Sequence, residues 1–331
     1  MRRKICAMKI SDAKLNQIIS DLGLNAPFIK GNDIPVHNCW HFYTDGAAID
    51  SIFYDDEDFR NGMNRIYVLL PQYDIIILAL ILMDTHVHFI LYGRFEDCNR
   101  FMHEYIRRTS IYISRKYGER NKMNGIPISH QDIDTDRYLK IAICYVIKNA
   151  PAGGLPWLAC DYPWSSGALY FRRRDWWTSP VWFAESDKTD RESLHQMSRI
   201  GRKKALKTRN AELEDALLID GMVFPGEYVA YELVEKLFKT VKSFHYFMCI
   251  TKDSDIESRG GTISHLTLPI QEMRQHKKEV CRQLFGREDS HSLDTGQRLR
   301  LARTLKSRYN SSSKQIARVC GLKYSEVKEL L

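Results

Sequence analysis

The sequence predicts an α+β fold with an antiparallel sheet, followed by a mostly α-helical C-terminal region. Three observations lead there. Residues 73–83, YDIIILALILM, form a β-branched run too continuous for a strand buried on one side, so both of its faces are expected to be covered. A polar break of two residues, Asp84-Thr85, separates it from a second apolar stretch, HVHFILYG, and the pair reads as a tight hairpin. Helical patterns flank the hairpin, and the order strand–helix–strand–strand–helix–helix suits antiparallel strands layered against helices.

The elements follow in order. Residues 1–37 form a leader, with a short amphipathic stretch around Ala13–Leu22 and then the turn-rich LNAPFIKGNDIPVHN. CWHFYTDG (39–46) is aromatic and alternating, a strand ending at Gly46. DDEDFRNGMNRIYVLLPQY reads as a helix with acids in its first turn, where the helix dipole favours them. Residues 96–118 form another helix, opened by acids, closed by bases and ended by Gly118. After a polar loop, DTDRYLKIAICYVIKNAP (134–151) is a third, capped by Asp134, Thr135 or Asp136 and stopped by Pro151 and Gly153-Gly154. Residues 158–177 are a loop-rich, aromatic and basic segment, 186–212 a charged helical stretch, and 222–285 a mixed region with helix at 227–242. The expected organisation is thus a leader (1–37), a compact region (38–180), a connecting, mainly helical region (181–295) and a C-terminal module (296–331).

Bulk properties narrow the function classes. The chain has 331 residues, 44% of them apolar, enough for a real core. No apolar run reaches 18 residues and the basic N-terminus lacks a long apolar stretch, so neither a membrane span nor a signal peptide is expected. The eight cysteines are scattered without a C-x-x-C pair, which points to reduced thiols in a cytoplasmic protein rather than a disulfide framework or zinc ribbon. Net charge is +8, and residues 276–331 hold 13 Lys and Arg against 6 Asp and Glu. A clustered basic segment of this kind is a footprint for polyanions, most often nucleic acid.

The chemistry centres on His86 and His88. Side chains alternate along a strand, so both imidazoles project from one face, about 7 Å apart, while Val87 enters the opposite layer. Two imidazoles at that spacing can chelate one ion or can be two satisfied core histidines. The helix at 134–151 puts Tyr138, Ala142, Tyr145 and Asn149 on one stripe, with Tyr145 and Asn149 neighbours at i and i+4. A phenol beside a carboxamide, above two imidazoles, is a set of parts for phosphoryl transfer. The bland alternative is an interfacial tyrosine and a capping asparagine.

The region from Trp40 to about Phe171 resembles the REP-associated tyrosine transposases, single-tyrosine members of the HUH endonucleases. IFYDDEDF matches that family's helix start at Phe53, Asp55 or Asp56, and Asp58. MDTHVH matches its histidine strand except at Asp84 and Thr85, where the family has Pro-Asn. CYVIKNAP matches its Tyr-to-Asn helix end at Tyr145 and Asn149, with Ala150 inserted before the proline, and YPWSS matches a closing aromatic–Ser-Ser element. The resemblance implies a ferredoxin-like antiparallel sheet with helices on one or both faces, Tyr145 as nucleophile, and His86, His88 and Asn149 as ligands of Mg²⁺ or Mn²⁺. The implied substrate is single-stranded DNA, with or without a hairpin beside the cleavage site, handled by a monomer or homodimer. Arg107, Arg108, Arg115 and Lys116, and the FRRRDWW segment with Arg172, Arg173 and Arg174, offer charge and stacking surfaces for such a strand.

The C-terminus carries an independent signature. SSSKQIARVCGLKYSEVKELL (311–331) fits a helix-turn-helix, with apolar residues at packing positions and Gly321 at the turn. Lys323, Tyr324, Ser325 and Lys328 would lie on or near its recognition helix and face duplex DNA. Two other readings compete with a transposase. One is a DNA-binding regulator with an inactive HUH domain, and the other is a replication initiator or relaxase using the same chemistry.

Overall fold

The computed structural model describes residues 4–5, 8–9, 11–27, 33–44, 51–118, 126–172, 191–208, 213, 215–251, 256, 270–288, 290, 292–309 and 313–324. The chain forms two compact units, one of Met1–Asn149 and Trp157–Thr251, the other of Ala150–Pro156 and Lys252–Leu331.

The first unit opens with a short hairpin, β1 (Lys4–Ile5) and β2 (Met8–Lys9), and helix α1 (Asp12–Asp21). Leu15, Ile18 and Leu22 of this N-terminal segment are buried, and Asp21 accepts hydrogen bonds from Tyr92 Oη at 2.8 Å and Asn38 Nδ2 at 3.1 Å. Then come β3 (Pro35–Thr44), α2 (Asp56–Leu69), β4 (Ile75–Leu82), β5 (Val87–Gly93), α3 (Phe95–Tyr117), β6 (Ile128–Thr135) and α4 (Asp136–Ala152). The four strands make one antiparallel sheet in the order β4-β5-β3-β6, so the chain traces a β-α-β-β-α-β path before α4.

All eight residues of β4 are buried, as its unbroken apolar run requires. It is an edge strand, and an edge leaves backbone groups needing partners. The YPWSS segment supplies them: Leu82 N donates to Trp164 O at 2.8 Å, Ser166 N donates to Leu80 O at 3.0 Å, and Tyr162 Oη donates to Leu82 O at 3.0 Å. Further along, Ala230 N donates to Ile77 O at 2.8 Å. Gly62 lets α2 approach this strand closely: a Cβ there would meet Phe53 Cε1 at 2.8 Å and Leu82 Cδ1 at 3.0 Å.

Three expectations are corrected here. Residues 126–135 contain a strand, not only a polar loop. ISHQDIDT is polar because β6 is the other edge, and only Gln131 and Ile133 of it are buried. Pro151 does not stop the preceding helix but sits within its last turn. The region after 186 is also less helical than its charge pattern suggests. A small antiparallel sheet, β7 (Arg191–Ser193), β8 (Leu217–Ile219) and β9 (Met222–Val223), accompanies α5 (Arg199–Ala205), α6 (Tyr231–Phe238) and α7 (Val241–Ile250). Strands of two or three residues are too short to show a period.

In the second unit, α8 (Ile270–Phe285), α9 (Thr295–Tyr309) and α10 (Ser313–Cys320) share a core that includes Met273, Val280, Leu301, Leu305 and Ile316. Asp294 and Gln297 cap α9 reciprocally, at 2.8 and 3.2 Å. Ala317 is fully buried, and Gly321 turns the chain at φ +67° before a helical residue at Tyr324. Ser325 and Lys328 lie outside the described residues. Among the described residues no helix is long and apolar enough to cross a membrane.

The start of α2 is fixed by carboxylates. Asp55 caps it, accepting from Asp58 N at 2.9 Å, and the fully buried Asp58 side chain accepts from Tyr54 N at 3.0 Å, Lys116 Nζ at 2.8 Å and Tyr117 Oη at 2.7 Å. Asp58→Ala strands these donors and is expected to cost about 3 kcal/mol in urea unfolding; a loss below about 1 kcal/mol would show that α2 does not depend on this cluster.

Candidate functional site

The register of the four strands brings the site together. His88 on β5 lies opposite Tyr43 on β3 and Ile81 on β4, while His41 on β3 lies opposite Gln131 on β6. These residues share one face of the sheet, which α4 covers. Phe89 faces the other way and packs against Phe101 and Tyr105 of α3. α3 and α4 therefore lie on opposite faces.

His86 sits in the turn just before β5, and its ring is 5.0 Å from that of His88, nearly perpendicular to it. Tyr145 presents its ring edge-on, 5.6 Å from His88 and 5.8 Å from His41. Asn149 Nδ2 donates to Tyr145 O at 3.1 Å, which turns Oδ1 toward His86 Nε2 at 3.2 Å. All four residues expected at the centre are thus adjacent.

Sequence reasoning missed His41, and the structure makes it central. It is buried, and its Nε2 is 2.9 Å from His88 Nδ1 with the rings stacked. Burial pulls the pKa of His41 down to about 4, against an upward pull from the Gln131 side chain. Burial also pulls His88 well below the ordinary value, helped by the positive potential of His86 and His41. Both rings are neutral near pH 7, so a single proton lies between the two facing nitrogens. If it rests on His88 Nδ1, His88 Nε2 presents a lone pair. The signal was available in CWHFYT, where His41 and Tyr43 occupy alternate positions, but only the pairing register reveals which neighbours they meet.

Thr85, buried in the hairpin turn, explains part of the Asp84-Thr85 oddity. Its Oγ1 is 2.9 Å from His86 Nδ1. A hydroxyl can donate or accept, so either tautomer of His86 keeps a partner. The turn itself is pinned, because Asp84 O accepts from Ile52 N at 2.5 Å and Phe53 N at 3.1 Å.

Among the described residues, no three or more His, Cys, Asp or Glu side chains converge to hold a metal ion, so an ion here would rest on two imidazoles and a carboxamide. One pair of that donor set has a spacing that suits an ion. Two atoms bound about 2.1 Å from an octahedral ion at a right angle lie about 3 Å apart, close to the 3.2 Å between His86 Nε2 and Asn149 Oδ1.

The expected DNA-binding cations are placed elsewhere. Arg107 and Arg108 both bond Glu104, at 2.6 Å through Nε, and Arg107 above all holds that carboxyl at about 2 against the opposing effect of burial. Lys116 is ion-paired with Asp55, Glu57 and Asp58 at 2.8–3.1 Å. Burial opposes its charge, but these carboxylates push its pKa up. All of these lie on α3, on the sheet face opposite the histidines. Arg172 bonds Asp161 at 2.5 Å and Cys160 O at 3.2 Å. Arg173 and Arg174 lie outside the described residues, and Lys323 is exposed just beyond the Gly321 turn.

No protein-family model matches this chain, and no curated protein or solved structure matches it either.

The neutral histidines give a pH dependence. His41 has its folded pKa near 4 against 6.5 in a solvated chain, so its stabilisation is complete above pH 6.5 and drains away as pH falls toward 4. The difference corresponds to about 3 kcal/mol. In chelator-treated protein the urea midpoint is expected to fall across that window, with a shallower fall in His41→Gln. An identical slope in the variant would assign the acid sensitivity to other groups.

Proposed function

We propose that this chain is a metal-dependent endonuclease and transposase that cleaves and rejoins single-stranded DNA through a covalent 5′-phosphotyrosine at Tyr145. The observation that carries the reading is the convergence of one helix on one strand end: Tyr145 edge-on to His88 at 5.6 Å, and Asn149 Oδ1 3.2 Å from His86 Nε2. The antiparallel sheet and the match of four motifs in order, from IFYDDEDF to YPWSS, support the same assignment to the HUH enzymes.

His86, His88 and Asn149 would hold Mg²⁺ or Mn²⁺, with imidazole donors favouring Mn²⁺. Bound there, the ion neutralises the scissile phosphate and polarises its P–O bonds. Tyr145 is a weak nucleophile, since a phenol with an ordinary pKa of about 10 is mostly protonated at pH 7. Its oxygen forms a bond to phosphorus while the P–O3′ bond breaks. The phenolic proton leaves to solvent and the departing 3′ oxygen takes one up, so a 3′-OH and a tyrosyl 5′-phosphodiester result. The ester bond keeps the energy of the original linkage, and a 3′-OH can reverse the step without ATP. His41 and Thr85 act as positioning residues, holding protons on the nitrogens of His88 and His86 that face away from the ion. The C-terminal unit, basic and with the Gly321 turn after α10, would grip duplex DNA near the cleavage site as a helix-turn-helix.

Incubation with single-stranded oligonucleotides covering candidate element ends, with Mn²⁺, is expected to give a protein–DNA adduct on denaturing gels. Tyr145→Phe abolishes it, as do His86→Ala and His88→Ala, while duplex binding by residues 296–331 persists. An adduct surviving Tyr145→Phe would refute the nucleophile assignment, and tight duplex binding with no adduct on any end would instead favour a DNA-binding regulator. Thr85→Val is expected to weaken Mn²⁺ affinity by about 10-fold or more, with cleavage recovered at higher Mn²⁺. Unchanged affinity by calorimetry would remove Thr85 from the centre.

A further inference from the structure

On the face of the sheet opposite the histidines, α2, α3 and the turn after α5 line a half-open cavity of about 260 Å³. Four cations line it, Arg65, Arg108, Arg115 and Lys207, with the ring of Tyr112 among them. Arg65 is the most constrained. The residue is only 9% exposed, its Nη2 donates to Asn61 one turn earlier, and its Nη1 is buried with no hydrogen-bond partner. Among the described residues Arg65 makes no ion pair. Its guanidinium lies 5.5 Å from the centre of the Tyr112 ring, and Lys207 Nζ lies 4.9 Å from the same ring.

Burying a guanidinium without a counter-charge is costly, and a buried donor left unmade adds to the cost. The nearby carboxylates do not neutralise the cavity. Glu104 is shared between Arg108 and Arg107, and Glu57 between Lys207 and Lys116. Arg115 is exposed and forms no ion pair among the described residues. Lys207 also holds a left-handed backbone, φ +46°, a conformation costly for a side-chain-bearing residue.

We propose that this cavity binds a phosphate group, with the Arg65 guanidinium at its buried end, Arg115 and Lys207 closing over it and Tyr112 as an aromatic wall. The volume falls below that of ordinary drug-sized pockets, so it suits one phosphate with its sugar. A phosphate here is on the far side of the sheet from Tyr145 and is not the scissile one. Two sources share the chemistry: the backbone of a nucleic-acid strand, and a free phosphate or mononucleotide. The inference does not depend on the tyrosine chemistry, and it is tested without divalent metal so that the two stand or fall separately.

The full-length protein in EDTA is probed with inorganic phosphate, by melting against chloride at matched ionic strength, and with a fluorescent single-stranded oligonucleotide, by anisotropy across a salt series. Phosphate is expected to raise the melting temperature of the wild type, and Arg65→Gln, Arg115→Gln and Lys207→Gln to abolish that rise. Should Arg65→Gln fail to fold, the two exposed positions carry the test. If strand backbone is the source, the variants also bind the oligonucleotide more weakly, and the slope of log K against log salt shrinks by about 0.7 for each phosphate no longer held. If the source is a free phosphate, the melting effect disappears while oligonucleotide binding is unchanged. The proposal is overturned if phosphate stabilises the wild type no more than chloride does and the variants keep wild-type oligonucleotide affinity and slope.

Discussion

The two-residue repeat of β5, held between antiparallel neighbours on both sides, governs what each layer of the first unit can contain. His88 and Ile90 face one layer, and Val87, Phe89 and Leu91 the other. Phe89 is locked among Phe101 and Tyr105, in the apolar packing under α3. A slip of one residue would put the Phe89 ring beneath Tyr145 and drive an imidazole into that apolar layer. The hydrophobic side thus fixes the polar side: the register that buries Phe89 also aligns His88 with His41 and Tyr145.

The polar layer carries its own cost, because imidazole nitrogens in a core need partners, and His41 Nδ1 is buried without one among the described residues. His88 meets His41, His86 meets Thr85 and Asn149, and Gln131 accepts from Tyr138 Oη at 2.9 Å. The His88–His41, His86–Asn149 and Gln131–Tyr138 contacts join different elements, so the cluster ties β3, β5, β6 and α4 together. The edges of the sheet need different solutions. The apolar edge at β4 is covered by Trp164–Ser166 and Val229–Ala230, and β6, at the other edge, is itself polar.

Several of these features were legible in the sequence. The hairpin of β4 and β5 was readable because a long β-branched run and a polar break have no good helical alternative. α2 and α3 were readable from acids at their starts and, for α3, from the left-handed Gly118 at its end. β6 was not readable: ISHQDIDT buries only two side chains, and a strand so polar has no apolar period to find. Strand alternation paired His86 with His88 and helical spacing paired Tyr145 with Asn149, but that the two pairs meet was only what the family resemblance implied. His41 was not readable, since its place depends on how β3 registers against two other strands. The basic residues of α3 misled for a related reason. Glu104 lies within one turn of Arg107 and Arg108, where pairing could be foreseen, but the carboxylates that occupy Lys116 come from α2, about sixty residues earlier in the chain.

Tyr145 and Asn149 lie one turn apart on α4, and the Asn149 amide is tied to the Tyr145 carbonyl. The phenol and the carboxamide are therefore carried by the same turn of one helix. A displacement of α4 would withdraw both at once from the two imidazoles at the start of β5. In the proposed chemistry, ion capture and strand attack would then fail together, and no half-armed state would hold an ion in its full ligand set without a nucleophile beside it. In that chemistry the helix would act as a coincidence detector, and a shift of its last turns would set the chemistry to on or off.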